Sequence, residues 1–300
     1  MNRERIGFIG LGDIGAPIAM RILDAGFPLR VYNRTATRME PFVARGAQTA
    51  ASATELAREC DIVFLCVSNA EAVEAVVFGG DGVAQGGRPG MLLVDVSTVH
   101  PVKTQEMAQR LARDHAMGWV DAPVSGGTVG ARAGTLAVMA GGSAAEVERV
   151  RPVLMSFAGR VTHMGGVGCG MAMKAFNQML SFGTGAVIAE TMNMAARFGI
   201  DPALIPEAVA GGFADSNVLR HYAPQMVSGD LKGNTLTGMK DLDIAMDLGR
   251  LTGSPLPVTS LVSSFFRIRI AQGDVACGLA TPMRMYAQGP LLPLKKETGK

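Results

Sequence analysis

Between Gly168 and Ala189 the chain carries one charged side chain, Lys174, in an otherwise apolar stretch. Asn177, Gln178 and Ser181 follow it three, four and seven positions later, so on a helix all four project from one face. Flanked by Met171, Met173, Phe176 and Leu180, this stripe is too thin for an ordinary solvated face and predicts a lined cleft. The plainer alternative is a snorkelling lysine at a domain edge. A half-buried lysine changes protonation more readily than arginine, because desolvation disfavours its charged form, which suits proton transfer to or from an alcohol. Neighbouring amides can hold the same substrate oxygen without adding charge.

A second candidate is the turn Asp121, Ala122, Pro123, Val124, Ser125, Gly126, Gly127, Thr128. Adjacent glycine amides form a nest for an anion, Ser125 and Thr128 add donors, and a carboxylate is the expected guest. A tight structural turn explains the same residues equally well.

A third is Gly10, Leu11, Gly12, Asp13, Ile14 and Gly15, a GxGxxG run that follows the apolar stretch Ile6 to Ile9 and opens a helical pattern reaching Ala25. In that context the glycines serve a tight turn, close approach of a pyrophosphate and helix–strand packing, with the helix N-terminus facing the anion. About 20 residues further on, an NAD site usually places an acid against the adenosine ribose. Here the chain reads Asn33, Arg34, Thr35. The acid that would repel a 2′-phosphate is missing and Arg34 offers a planar fork for one, so NADP(H) is expected over NAD(H).

The elements that must position these groups follow from the hydrophobic pattern. Apolar runs at Ile6 to Ile9, Leu29 to Tyr32, Ile62 to Val67, Met91 to Val94, Trp119 to Val120 and Leu136 to Ala140 read as strands. They alternate with helical stretches such as Ile14 to Ala25, Thr35 to Ala44 and Pro101 to Arg113, which predicts an α/β domain with a mainly parallel sheet over residues 1–164. Beyond the glycines 165, 166, 168 and 170, strand-like runs nearly vanish. Gly170 to Phe198, Asp201 to Gly211, Thr235 to Thr252 and Pro257 to Ile270 predict an all-helical domain over 165–300, entered through a long helix. The tail from Leu294 to Lys300 reads as disordered.

Composition narrows the partners. A length of 300 residues accommodates two cores, and 18% charged against 48% apolar residues points to surface buried between subunits. A net charge of +2 without a basic cluster argues against nucleic acid and anionic membrane. No apolar stretch reaches membrane-spanning length, since Ala175 to Ala189 is interrupted by Asn177, Gln178, Ser181 and Thr184. Cys60, Cys66, Cys169 and Cys277 show no metal spacing, so no metal is expected, and reduced thiols in a cytoplasmic protein are the simplest reading. The histidines are scattered, His163 reads as a packing or hydrogen-bonding residue rather than a base, and Met171, Met173, Met179, Met192 and Met194 among the 19 methionines read as core filler.

Taken in order, IGFIGLGDIGAPIA (Ile6 to Ala19), DVST (Asp95 to Thr98), DAPVSGG (Asp121 to Gly127), GGVGCGMAMKAFNQ (Gly165 to Gln178) and KDL (Lys240 to Leu242) resemble the beta-hydroxyacid dehydrogenase family across nearly the whole chain. The resemblance implies a Rossmann domain followed by an all-α domain that serves substrate binding and dimerisation, and a homodimer or homotetramer. It implies Lys174 as general acid/base, Ser125, Gly126 and Gly127 on the substrate carboxylate, and Asn177 and Gln178 orienting the substrate. Val67, Ser68, Thr98 and Lys240 would contact the cofactor, with Asp241 supporting Lys240. Two departures stand out. Gln178 occupies a position where hydroxyisobutyrate enzymes commonly carry Asn and tartronate semialdehyde reductases often carry Gln, and Gly233 stands where many relatives have Phe, which predicts a pocket that is wider or shaped by other residues. The expected activity is interconversion of a small 3-hydroxy acid with its semialdehyde or keto acid. An imine reductase, which usually lacks the lysine, and a catalytically silent dinucleotide-binding scaffold are the alternatives, and Lys174 counts against both.

Overall fold

The computed structural model describes residues 4–287 and Leu291, so the predicted disorder of the tail from Leu294 lies outside the described residues. The chain divides into two compact units, Met1–Lys174 and Ala175–Lys300.

The first unit holds a nine-stranded sheet: β1 (Ile6–Ile9), β2 (Leu29–Tyr32), β3 (Gln48–Thr49), β4 (Ile62–Leu65), β5 (Leu92–Asp95), β6 (Gly118–Asp121), β7 (Val124–Ser125), β8 (Leu136–Gly141) and β9 (Ala158–Gly165). Strands β3-β2-β1-β4-β5-β6 lie side by side and parallel, so the order reverses between β1 and β4. Such a reversal opens a crevice at the carboxyl ends of the two strands. β8 runs antiparallel to β6 and carries β7 and β9.

The apolar runs are continuous because both faces of the sheet are covered. Ile6, Phe8, Ile62, Phe64, Leu92, Val94 and Val120 pack with Ile18, Ile22, Phe42, Val147 and Val150 on one side. Their neighbours Ile9, Val63, Leu65, Leu93 and Trp119 pack with Leu56, Val73, Val77 and Leu111 on the other. This two-sided burial is the mainly parallel α/β domain that the sequence predicts.

Several local expectations change. β9 is the longest strand of the sheet yet is absent from the apolar runs that the sequence marks as strands, because Arg160, Thr162 and His163 interrupt its apolar pattern. Thr35 to Ala44 resolves into a 3-10 turn (Ala36–Met39) and one α-turn (Glu40–Val43), and Asp201 to Gly211 into Pro202–Leu204 and Ile205–Ala208. Helices Ala53–Glu59, Ala70–Phe78 and Ala144–Leu154 carry no strong sequence period, and their Ser52, Asn69 and Ser143 N-caps are the signal that marks them.

The second unit is helical: the rest of Cys169–Phe198, then Asn217–Ser228, Thr235–Thr252, Pro257–Ala271 and the 3-10 segment Gly278–Met285. Phe182 meets Phe266 edge-on at 5.2 Å beside Met239, Leu242 and Val262. Gly233 has φ 141°, and a Cβ there would stand 2.7 Å from the Gly278 Cα. Two backbones cross at this point, which accounts for a glycine at position 233.

Candidate active site

The glycine run continues directly from β1, and its three glycines meet three different constraints. Gly10 has φ 97° and turns the chain where a Cβ would collide with the Cys66 carbonyl at the end of β4. A Cβ on Gly15 would strike the Gly10 carbonyl, which lets the helix Gly15–Asp24 start hard against the strand. At Gly12 a Cβ would meet nothing within 4 Å. An open backbone at a helix start, in the crevice between β1 and β4, fits a pyrophosphate. Asp13 is exposed and Ile14 occupies the N-cap position.

Asn33, Arg34 and Thr35 follow β2 at the same carboxyl edge of the parallel strands. The Leu11 N–H donates to Asn33 Oδ1 at 2.9 Å, and Asn33 Nδ2 donates to the Thr35 carbonyl at 3.0 Å. Arg38, which the sequence reading passed over, donates to the Leu11 carbonyl at 2.9 Å. The Leu11 peptide is thus held at both its N–H and its C=O. Arg34 is exposed.

The DVST segment ties the next two strand ends together. The Ser97 N–H donates to Asp95 Oδ1 at 2.9 Å, and the Val67 N–H donates to Ser97 Oγ at 3.0 Å. Asp95 and Ser97 are buried, Thr98 is half-buried and Ser68 exposed. Spacing alone could not show that Asp95 and Ser97 are the rivets holding the loop that offers Val67 and Ser68.

Ser125 ends β7, and Gly126 and Gly127, with φ 129° and 62°, lead into the short helix Gly127–Ala133. Both glycines are exposed, Ser125 is half-buried, and nothing lies within 4 Å of a Cβ placed on Gly127. Asp121, at the head of the same motif, is fully buried at the end of β6. Its Oδ1 accepts from the Gly168 N–H and its Oδ2 from the Met171 N–H, each at 2.8 Å. These amides open the helix Cys169–Phe198, and Lys174 lies in its second turn, 8% exposed. His163 Nε2 is 2.9 Å from the carbonyl oxygens of Gly142 and Gly165, a hydrogen-bonding role.

Asn177 and Gln178 continue the same helix within the second unit. Asn177 Nδ2 donates to Gln178 Oε1 at 2.9 Å, and Gln178 Nε2 donates to Asp241 Oδ2 at 2.6 Å. Lys240 Nζ lies 3.6 Å from Asp241 Oδ1, and Asp241 is buried. The structure therefore brings Asn177, Gln178 and Lys240 together around one carboxylate. The extra methylene of Gln over Asn supplies reach toward Asp241, which sequence spacing does not reveal.

Among the described residues no cluster of His, Cys, Asp or Glu could hold a metal ion, and no helix is long and apolar enough to cross a membrane. Burial pushes the Cys60 thiol up to about 12, in keeping with an inert core cysteine.

Residues 5–166 match the family described as the NAD binding domain of 6-phosphogluconate dehydrogenase. Residues 168–286 match that described as NAD-binding of NADP-dependent 3-hydroxyisobutyrate dehydrogenase. The chain is 34% identical to 2-(hydroxymethyl)glutarate dehydrogenase of Eubacterium barkeri, over 92% of this chain and 90% of that protein. It is 32% identical to 2-hydroxy-3-oxopropionate reductase of Escherichia coli, over 90% of this chain and 92% of that protein. Among solved structures, 3-hydroxyisobutyrate dehydrogenase of Mycobacterium tuberculosis with L-serine superposes with a TM-score of 0.83 at 29% identity, covering 95% of this chain and 99% of that one.

Proposed function

Because the chain belongs to the beta-hydroxyacid dehydrogenase family, as an NAD(P)-dependent oxidoreductase of the hydroxyacid and semialdehyde class, we propose that it interconverts a small 3-hydroxy acid and its semialdehyde or keto acid, with NADP(H) preferred and Lys174 as general acid/base. The observation that carries this reading is a buried lysine in the second turn of a helix whose first amides are pinned to the sheet. The nicotinamide, when bound, supplies or accepts the hydride. Lys174 supplies the proton: in reduction its ammonium donates to the carbonyl oxygen as that oxygen gains charge, and in oxidation the neutral amine takes the hydroxyl proton. Ser125 and the amides of Gly126 and Gly127 hold the substrate carboxylate, while Asn177 and Gln178 orient the reacting group. Gly10 to Gly15, Asn33, Arg34, Thr35, Val67, Ser68, Thr98 and Lys240 hold the cofactor.

The test is steady-state turnover of a panel of semialdehydes and hydroxy acids with both cofactors. A small carboxylate-bearing semialdehyde with NADPH is expected to give the highest kcat/KM. Ser125→Ala should raise KM for acids about tenfold, the scale of a lost hydrogen bond to a charged group, and leave the cofactor Kd unchanged. An equal loss of cofactor affinity would make the turn structural.

The same reading makes residues 165–300 the substrate and dimerisation domain of a cytoplasmic homodimer or homotetramer. Its support is a stripe on the long helix: Phe176, Leu180, Val187, Met194 and Phe198 fall within a narrow arc of helical angle and are exposed, Leu180 at 70% and Phe198 at 82%, so Met194 is not the core filler that the sequence suggests. Leu180→Arg is expected to shift the protein to monomer in sedimentation analysis, and an unchanged mass would remove this helix from the interface.

A further inference from the structure

Asp121 is a fully buried carboxylate to which the reaction assigns no role. Both of its oxygens accept backbone N–H groups from the start of the Lys174 helix, and the surroundings are built to let that happen. A Cβ on Gly141 would stand 2.5 Å from Asp121 Oδ1 and 2.7 Å from the Gly170 nitrogen, and a Cβ on Gly170 would stand 2.6 Å from the Asp121 carbonyl oxygen. Two glycines thus allow the helix to press on β6 and β8 at the carboxylate.

We propose that Asp121 is a positioning residue: by clamping the first turn of the helix through both carboxylate oxygens it holds Lys174 in its productive place, so that turnover depends on Asp121 remaining ionised. The proposal rests on Lys174 being the proton donor. Met171, one of the two clamped residues, precedes Lys174 by three positions, close to one helical turn, so a shift of its amide is passed to the lysine with little attenuation. Displacements of about 1 Å at reacting groups can cost about a hundredfold in rate. A protonated carboxyl presents a hydroxyl to one of the two N–H donors, and that half of the clamp is lost.

The electrostatics make this loss reachable. Burial, as the largest influence, raises the Asp121 carboxyl to about 6; the N–H groups of Gly168 and Met171 oppose it, and Asp95 raises it further. Asp95 faces it from β5, in register with Asp121. From β8 the neighbour is Gly141, with His163 of β9 fastened to the Gly142 and Gly165 carbonyls, and from the helix come Gly168, Cys169, Gly170, Met171 and then Lys174. Because the folded-state value lies above the ordinary 3.8, the contribution of Asp121 to stability is complete below that value and is lost as pH rises through about 6. Acidification therefore strengthens the fold through this group while it loosens the clamp, and activity and stability move in opposite directions.

The experiment compares wild type, Asp121→Asn and Lys174→Ala in the reductive direction. There a protonated Lys174 is the competent form, so acid cannot cost activity through Lys174 itself. Asp121→Asn is expected to lower kcat at least about tenfold, with substrate KM and NADPH Kd within about threefold, and to lose an acid limb that wild type shows near pH 6. A kcat within about twofold of wild type, or an unchanged acid limb, would overturn the proposal and leave the Lys174 reading intact. Near-normal turnover by Lys174→Ala would instead remove that reading, and the proposal with it. Should Asp121→Asn not fold, wild type alone decides: falling kcat with a steady or rising melting temperature between about pH 7 and about pH 5 supports the clamp, and a flat kcat over that range refutes it.

Discussion

Lys174→Ala is expected to lower kcat by about a hundredfold or more in both directions, the usual scale for removing a general acid/base. NADPH affinity and melting temperature should stay close to wild type. The expectation of a folded variant comes from the surroundings of the lysine rather than from the lysine alone. The first turn of its helix is fixed by Asp121, Met171 is packed in the sheet core, and the second unit closes around Phe182, Leu242 and Phe266. Truncation at position 174 leaves all of these in place. Lys174→Arg should also be slow, because a guanidinium does not release its proton near neutral pH and its planar fork requires more room than a buried ammonium occupies. Steady-state turnover, cofactor titration and a melting curve for each variant check the result. A folded, cofactor-binding Lys174→Ala enzyme with near-normal turnover would take the lysine out of the mechanism.

How far this site was legible in the sequence depends on the kind of signal each residue gives. The glycine run was readable because its context, an apolar strand before and a helical period after, is local in the chain. Lys174 was readable because one charge in an apolar helix is a local anomaly. The strands β1, β4 and β5 were readable because burial on both faces produces unbroken apolar runs, and β2 because buried Leu29 and Val31 alternate with half-buried Arg30 and Tyr32. What escaped was non-local. β9 pairs along its length with β8 and owes its form to that partner more than to its own polar sequence. Asp121 and Asp95 look like ordinary loop acids at strand ends until the helix and the neighbouring loop are placed against them. Nothing near Gln178 in the chain shows that its amide nitrogen donates to Asp241, 63 residues further on. Short capped helices such as Ala53–Glu59 fell below the length at which a helical period is visible.

The pair of changes Asn33→Asp and Arg34→Ala is expected to shift the NADPH to NADH ratio of kcat/KM by about a hundredfold toward NADH. The loss of a charge-assisted contact to the 2′-phosphate and the gain of a like charge beside it together amount to about 3 kcal/mol. The geometry explains why Asp is the right replacement at position 33. Asn33 Oδ1 accepts the Leu11 N–H, and an Asp oxygen at the same place accepts it equally well, so the glycine loop keeps its anchor. What disappears is the donation from Nδ2 to the Thr35 carbonyl, a contact at the exposed end of the loop. Arg38 continues to hold the Leu11 carbonyl from the other side, so the pyrophosphate cradle common to both cofactors is preserved. The change should therefore appear as discrimination between cofactors, with KM for NADPH rising and KM for NADH falling while kcat with saturating NADH stays near its wild-type value. Parallel initial-rate measurements with the two cofactors decide it. A wild-type enzyme that already uses NADH better than NADPH would show that Arg34 is a solvated surface charge and that the missing acid after β2 carries no preference for the phosphate.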